Sequence, residues 1–166
     1  MPDGAPARGE YACAAAWTAL SAAHALVTGQ LAAALAQACG LSIHEFEVLL
    51  RVEHAAGGGL RLGALGTMVQ LTQPSLSRAV GRLERQGWLR RCGAPGDGRG
   101  VLVSITPAGR DVLARGAAVH AETVRTLLLD RLTPDERDLL ARALTRVAAG
   151  GPASRKEPLC HQPRSA

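Results

Sequence analysis

The chain has 166 residues with 19 Lys+Arg against 14 Asp+Glu, a formal charge of +5, a length that suits one domain with a sizeable core and excludes two ordinary ones. The basic balance fits a polyanionic partner or a membrane surface. No run of about 18 apolar residues is counted, and no basic stretch leads into an apolar one at the start, so a cytoplasmic protein is expected.

Lys156 is the only lysine, so the positive charge rests on arginine. Cys13, Cys39, Cys92 and Cys160 are widely spaced without a C-x-x-C pair, which argues against a zinc knuckle or disulfide framework and for reduced thiols. Residues 1–9, punctuated by Pro2, Gly4, Pro6 and Gly9, and residues 149–166, a Gly/Pro/Arg/Lys mixture, read as disordered ends around a domain at 10–148.

From Glu10 to Ala38 the apolar Trp17, Leu20, Val27, Leu31 and Leu35 recur at helical spacing in an alanine-rich background, predicting one long helix that Gly40 ends. Ser42 and Glu45 form a capping box for a second helix that buries Phe46, Leu49 and Leu50. After Gly57-Gly58-Gly59 a short helix, Leu62 to Gln70, turns Leu65 and Met68 inward. Thr72 caps the next helix, with Pro74 tolerated in its first turn. Leu76, Val80 and Leu83 line one face of that helix and Gln73, Ser75, Ser77, Arg78, Arg82 and Arg85 the others, until Gly87.

Trp88 to Cys92 and Val101 to Ile105 read as strands joined by a long loop, a wing. Thr106-Pro107 opens a helix to about Asp130, and the capping box of Thr133 and Glu136 opens a last one with an apolar stripe of Leu139, Leu140, Ala143, Leu144 and Val147. Two short helices around a tight turn, the second basic and followed by a hairpin, have the layout of a winged helix-turn-helix. Seven arginines lie between Arg61 and Gly100 against only Glu84 and Asp97, so the whole formal excess falls in that segment. Gln and Ser at a helix N-terminus reach base edges, and arginines further along, such as Arg78 and Arg82, reach guanine or phosphate.

The stretch LTQPSLSRAVGRLERQGWLRR at 71–91, followed by DGR at 97–99 and VSITPAGR at 103–110, resembles the recognition helix, wing and following helix start of MarR-family regulators, and the resemblance extends from about Tyr11 to Val147. It implies a mainly α fold with a small β wing, and a triangular homodimer. Dimerisation helices at about 10–38 and 107–148 would hold winged helix-turn-helix lobes at about 42–106. By resemblance, Gln73, Ser75, Ser77 and Arg78 read the major groove, Asp97 braces the wing loop and Arg99 enters the minor groove. Gly98 stands where family wings commonly carry a second arginine.

The same resemblance implies a repressor released from a pseudo-palindromic operator by a small-molecule, phenolic effector in the cleft between dimer interface and DNA-binding lobe. Trp17, His24, Phe46 and Glu47 are the pocket candidates, each weighed against an ordinary core or interface role. Trp17 and Glu47 resemble residues of the urate-responsive branch, whose recognition-helix arginine is Ala79 here. Cys13 lies where hydroperoxide-sensing relatives keep a thiol activated by tyrosines, of which only Tyr11 is present. His44, Glu45 and Cys39 lack regular zinc-ligand spacing. A redox- or metal-sensing regulator of the same fold and a thiol-redox enzyme are the alternatives. No base is placed beside Cys13 or Cys92, so neither a catalytic site nor a cofactor is expected.

Overall fold

The structure, a computed structural model, describes residues 8–55, 59–69, 71–94 and 97–150, with side-chain surroundings for 14–55, 59–69, 71–93 and 101–150. In chain order these form α1 (Arg8–Cys39), α2 (Ile43–Glu53), β1 (Leu60–Arg61), α3 (Leu62–Met68), α4 (Gln73–Arg85), β2 (Leu89–Ala94), β3 (Asp97–Ile105), α5 (Pro107–Leu127), a 3-10 turn (Leu129–Arg131) and α6 (Pro134–Ala149). The expected mainly α fold with a β wing is the observed one. Most of residues 1–9 and 149–166, read as disordered from sequence, lie outside the described residues.

The chain divides into two compact units, one up to Leu127 and one from Leu128. In the first, α1 begins two residues before the sequence places it and ends at Gly40, whose φ of +66° is a left-handed conformation that costs glycine nothing. The core gathers Leu31 and Leu35 of α1, Phe46, Val48, Leu49 and Val52 of α2, Leu65 of α3, and Leu76, Val80 and Leu83 of α4. Leu41 and Val69 beside these helices, Leu89, Val103 and Ile105 of the sheet and Val112 and Leu113 of α5 complete it. Helix α1 packs chiefly on α5, where a side chain on Gly116 would meet Phe46 and Leu35. Phe46 stacks on His120, ring centroids 5.5 Å apart.

The sheet has the order β1-β3-β2. No local pattern announces β1, whose two residues pair Leu60 with Val103 and Arg61 with Leu102. Both hairpin strands extend further toward the turn than expected, pairing from Leu89 and Ile105 out to Ala94 and Asp97. Their backbone ladder outlasts the alternation of apolar side chains from which a strand is read.

Three expectations need correction. Met68 points outward, not inward, and in α1 only Leu31 and Leu35 of the apolar stripe are buried, while Trp17 and Leu20 are exposed. The expectation that no long apolar run is present does not hold for Ala14–Cys39, which is long and apolar enough to cross a membrane by length and composition alone. Alanine weighs as apolar in such a composition although its single methyl gains little from burial, and the second half of this helix is engaged with the core through Leu31 and Leu35.

In the second unit, Thr133 and Glu136 form the predicted capping box of α6, and the Nε of Arg137 donates to the Leu129 carbonyl at 2.9 Å. Helix α5 ends at Leu127, short of the expected Asp130, because residues Leu129–Arg131 tighten into a 3-10 turn. No described residue of α6 is buried, and Leu139, Leu144 and Val147 are exposed.

Candidate nucleic-acid interface

Helix α4 is amphipathic by sequence, and its geometry follows. Leu76, Val80 and Leu83 are buried, which turns Gln73, Ser77, Arg78, Arg82 and Arg85 to solvent and leaves Ser75 half-buried. Thr72 occupies the N-cap position as predicted, but its hydroxyl makes no cap bond; it donates to the Ser75 hydroxyl at 3.0 Å. The Nη2 of Arg78 donates to the same Ser75 oxygen at 3.0 Å, so Thr72, Ser75 and Arg78 form one polar row over the first turns. Only four residues separate α3 from α4. The close turn brings the Gln73 amide over Gly66, where a Cβ would lie 3.2 Å from its Nε2.

The arginines differ in how much of their charge remains free. Arg91 pairs with Glu84 at 3.4 Å and Arg82 with Glu45 at 3.2 Å. Arg90 donates through Nε to the hydroxyl of Ser104, a neutral partner, at 2.9 Å. Among the described residues Arg78, Arg85 and Arg90 have no carboxylate partner, so positive charge is left uncompensated along α4 and at the start of the wing. Arg78, Arg82 and Arg85, with Glu45, Ser77, Ala79 and Gly81, line an open groove of about 600 Å³ on the outer face of α4. Sequence places Arg85 and Arg90 in the basic cluster without setting them apart from the other arginines. No local signal separates them: Arg82 and Arg85 both lack an acid one helical turn away, and Arg90 lies in a strand, so only the fold shows which arginines meet a carboxylate.

Asp97 and Arg99 both fall in β3, on the wing; their side chains lie outside the described ones, as does that of Cys13. The pocket candidates are dispersed. Trp17 and His24 are exposed on α1, Phe46 is buried against His120, and Glu47 is partly exposed and pairs with Arg51 at 3.4 Å. Neither described groove is lined by any of the four.

Three helices with a tight turn before the third, backed by a three-stranded sheet whose β2–β3 hairpin forms the wing, define a winged helix-turn-helix protein. The MarR family model matches residues 40–100. A MarR family transcriptional regulator from Streptomyces coelicolor, Sco3205, solved in complex with DNA, is 32% identical with a TM-score of 0.75 over 81% of this chain and 88% of that one. This chain belongs to the MarR family. AbsC of the same organism is 26% identical at a TM-score of 0.76, covering 88% and 96%. The HTH-type transcriptional regulator PecS of Dickeya dadantii is 29% identical over 108 residues, 64% of each chain. The matches span about three fifths of the length of such curated relatives.

Proposed function

We propose that this chain is a cytoplasmic, homodimeric regulator that binds a pseudo-palindromic operator, represses transcription and leaves the DNA when a small phenolic molecule binds. The observation that carries the reading is the solvent-facing side of α4, where Gln73, Ser77 and Arg78 stand in its first turns with Arg78 and Arg85 lacking a carboxylate partner among the described residues. A helix N-terminus of this composition suits base edges in the major groove, and guanidinium groups free of acids suit guanine or phosphate. Asp97 and Arg99, on the adjoining hairpin, take the wing role, with Arg99 in a narrow minor groove. Sco3205, a relative of the same fold, is known in complex with DNA.

The dimer is inferred from apolar side chains that find no cover within their own units: Trp17, Leu20 and Leu26 on α1, and Leu139, Leu144 and Val147 on α6. A second copy laid on them would bring Trp17 and His24 into an interface, beside which Phe46 and Glu47 would complete an effector cleft. Selection of binding sequences from random duplex DNA tests the reading. An enriched inverted repeat with half-site centres roughly 34 Å apart is expected, and enrichment of no sequence contradicts it. Quenching of Trp17 fluorescence by phenolic acids, absent in Trp17→Phe, tests the effector.

A further inference from the structure

Sequence groups Arg82 with the residues that reach DNA, but its guanidinium is directed elsewhere. Nη2 donates to the carbonyl of Gly40 at 2.6 Å, 42 residues away in sequence, and Nη1 lies 3.2 Å from Oε1 of Glu45. Gly40 ends α1 and Glu45 sits in the first turn of α2. One side chain therefore ties the third helix of the DNA-binding motif to the corner where the long helix α1 gives way to α2.

The acid it meets is a demanding one. Glu45 is 4% exposed, and its Oε2 already accepts from the backbone NH and the hydroxyl of Ser42, both at 2.9 Å. A carboxylate withdrawn from water is costly unless it is paired and hydrogen-bonded. The cap engages one oxygen; Arg82 supplies the positive charge facing the other. Arg82 also borders both described grooves, the one on α4 and a second of about 550 Å³ lined by Ala32, Ala36 and Ile43 among others, so it forms the bridge between them.

We propose that Arg82 is a positioning residue. It fixes the recognition helix against the α1–α2 corner through the buried charge of Glu45 and does not contact DNA. Reading of base edges depends on how the helix is presented, so loss of the bridge weakens operator binding without removing a phosphate contact. This deepens the DNA-binding reading and rests on it.

The test compares Arg82→Gln, Glu45→Gln and the double variant in the full chain. Gln at 45 keeps the capping box, which accepts Glu or Gln at that position, so E45Q removes only the charge that faces Arg82. Operator affinity is measured at several salt concentrations, and amide exchange in α4 and denaturant unfolding are measured without DNA. Each single variant is expected to bind about tenfold more weakly with an unchanged log–log salt slope. The double variant should be no weaker than either single one, and α4 amides should exchange faster in all three. A salt slope lowered by about one unit per lobe in R82Q, with E45Q binding as well as the parent, makes Arg82 a phosphate contact and overturns the proposal. If the parent binds no DNA, the regulator reading fails by itself. The DNA-free readouts still decide the bridge: unchanged α4 exchange and additive stability effects contradict it.

Discussion

The backbone carbonyl of Trp88 lies where a side chain on Gly109 would stand. The contact belongs to a small junction that joins α5 to the end of α4 and the start of the wing. Thr106 donates from its backbone NH to the Trp88 carbonyl at 3.0 Å and from its hydroxyl to the Gly87 carbonyl at 2.7 Å, and its hydroxyl accepts from the Gly109 NH at 3.0 Å. The Thr-Pro-Ala-Gly run is thus a cap whose fourth residue must lack a Cβ, because the opposing atom is backbone and cannot swing aside.

Gly109→Ala is expected to destabilise the chain by roughly 1–3 kcal/mol or more, the range for overpacking a filled site. Gly63→Ala in α3 is the control. Nothing lies within 4 Å of a Cβ there, and helical Gly to Ala is worth up to about 1 kcal/mol of added stability. Urea unfolding of the two variants should move in opposite directions; equal midpoints would contradict the packing described.

The cap of α6 carries a pH dependence. Hydrogen bonds from the Thr133 backbone NH, first, and then the Thr133 hydroxyl hold the Glu136 carboxyl below the ordinary glutamate value. A carboxyl with a lowered folded pKa contributes stability that is complete above the ordinary value of 4.5 and is lost as pH falls through the lower folded value. Helical circular dichroism of the parent should therefore weaken below about pH 4.5 by a component absent from Glu136→Gln, which keeps the box without the charge. Identical acid profiles for the two proteins would remove the cap from the account.

Self-association is the expected outcome of the exposed apolar side chains of α1 and α6. Sedimentation is expected to give a dimer at micromolar concentration, and deletion from Pro134 onward to abolish both assembly and folding, as for obligate dimers that bury on the order of 2,000 Å² or more. A stable monomer of the full chain is the contrary result.

Much of this fold is legible in the sequence because its signals are local. Ser42 with Glu45 and Thr133 with Glu136 announce helices by the chemistry of their own first turns, and both boxes are present. The buried face of α4 can be read from the spacing of Leu76, Val80 and Leu83. What escapes depends on partners distant in sequence. Strand β1 has two residues and exists only because β3 offers an edge, and Met68 is exposed because a seven-residue helix buries only a narrow stripe. Arg82 looks like Arg78 on a helical wheel. What separates them is Gly40 and Glu45, brought near by the α1–α2 corner.

The central claim is that α4 and the wing read DNA, and it is tested most directly by operator and scrambled-duplex affinities of the parent, Arg78→Ala and Arg99→Ala at several salt concentrations. Arg78→Ala should lose about 1–3 kcal/mol per half-site on the operator and relax preference at particular base pairs. Arg99→Ala should weaken binding to many sequences and flatten the salt dependence by ~1 unit of log–log slope for each phosphate-type interaction removed. Operator affinity unchanged in both variants would contradict the assignment of the recognition helix and wing.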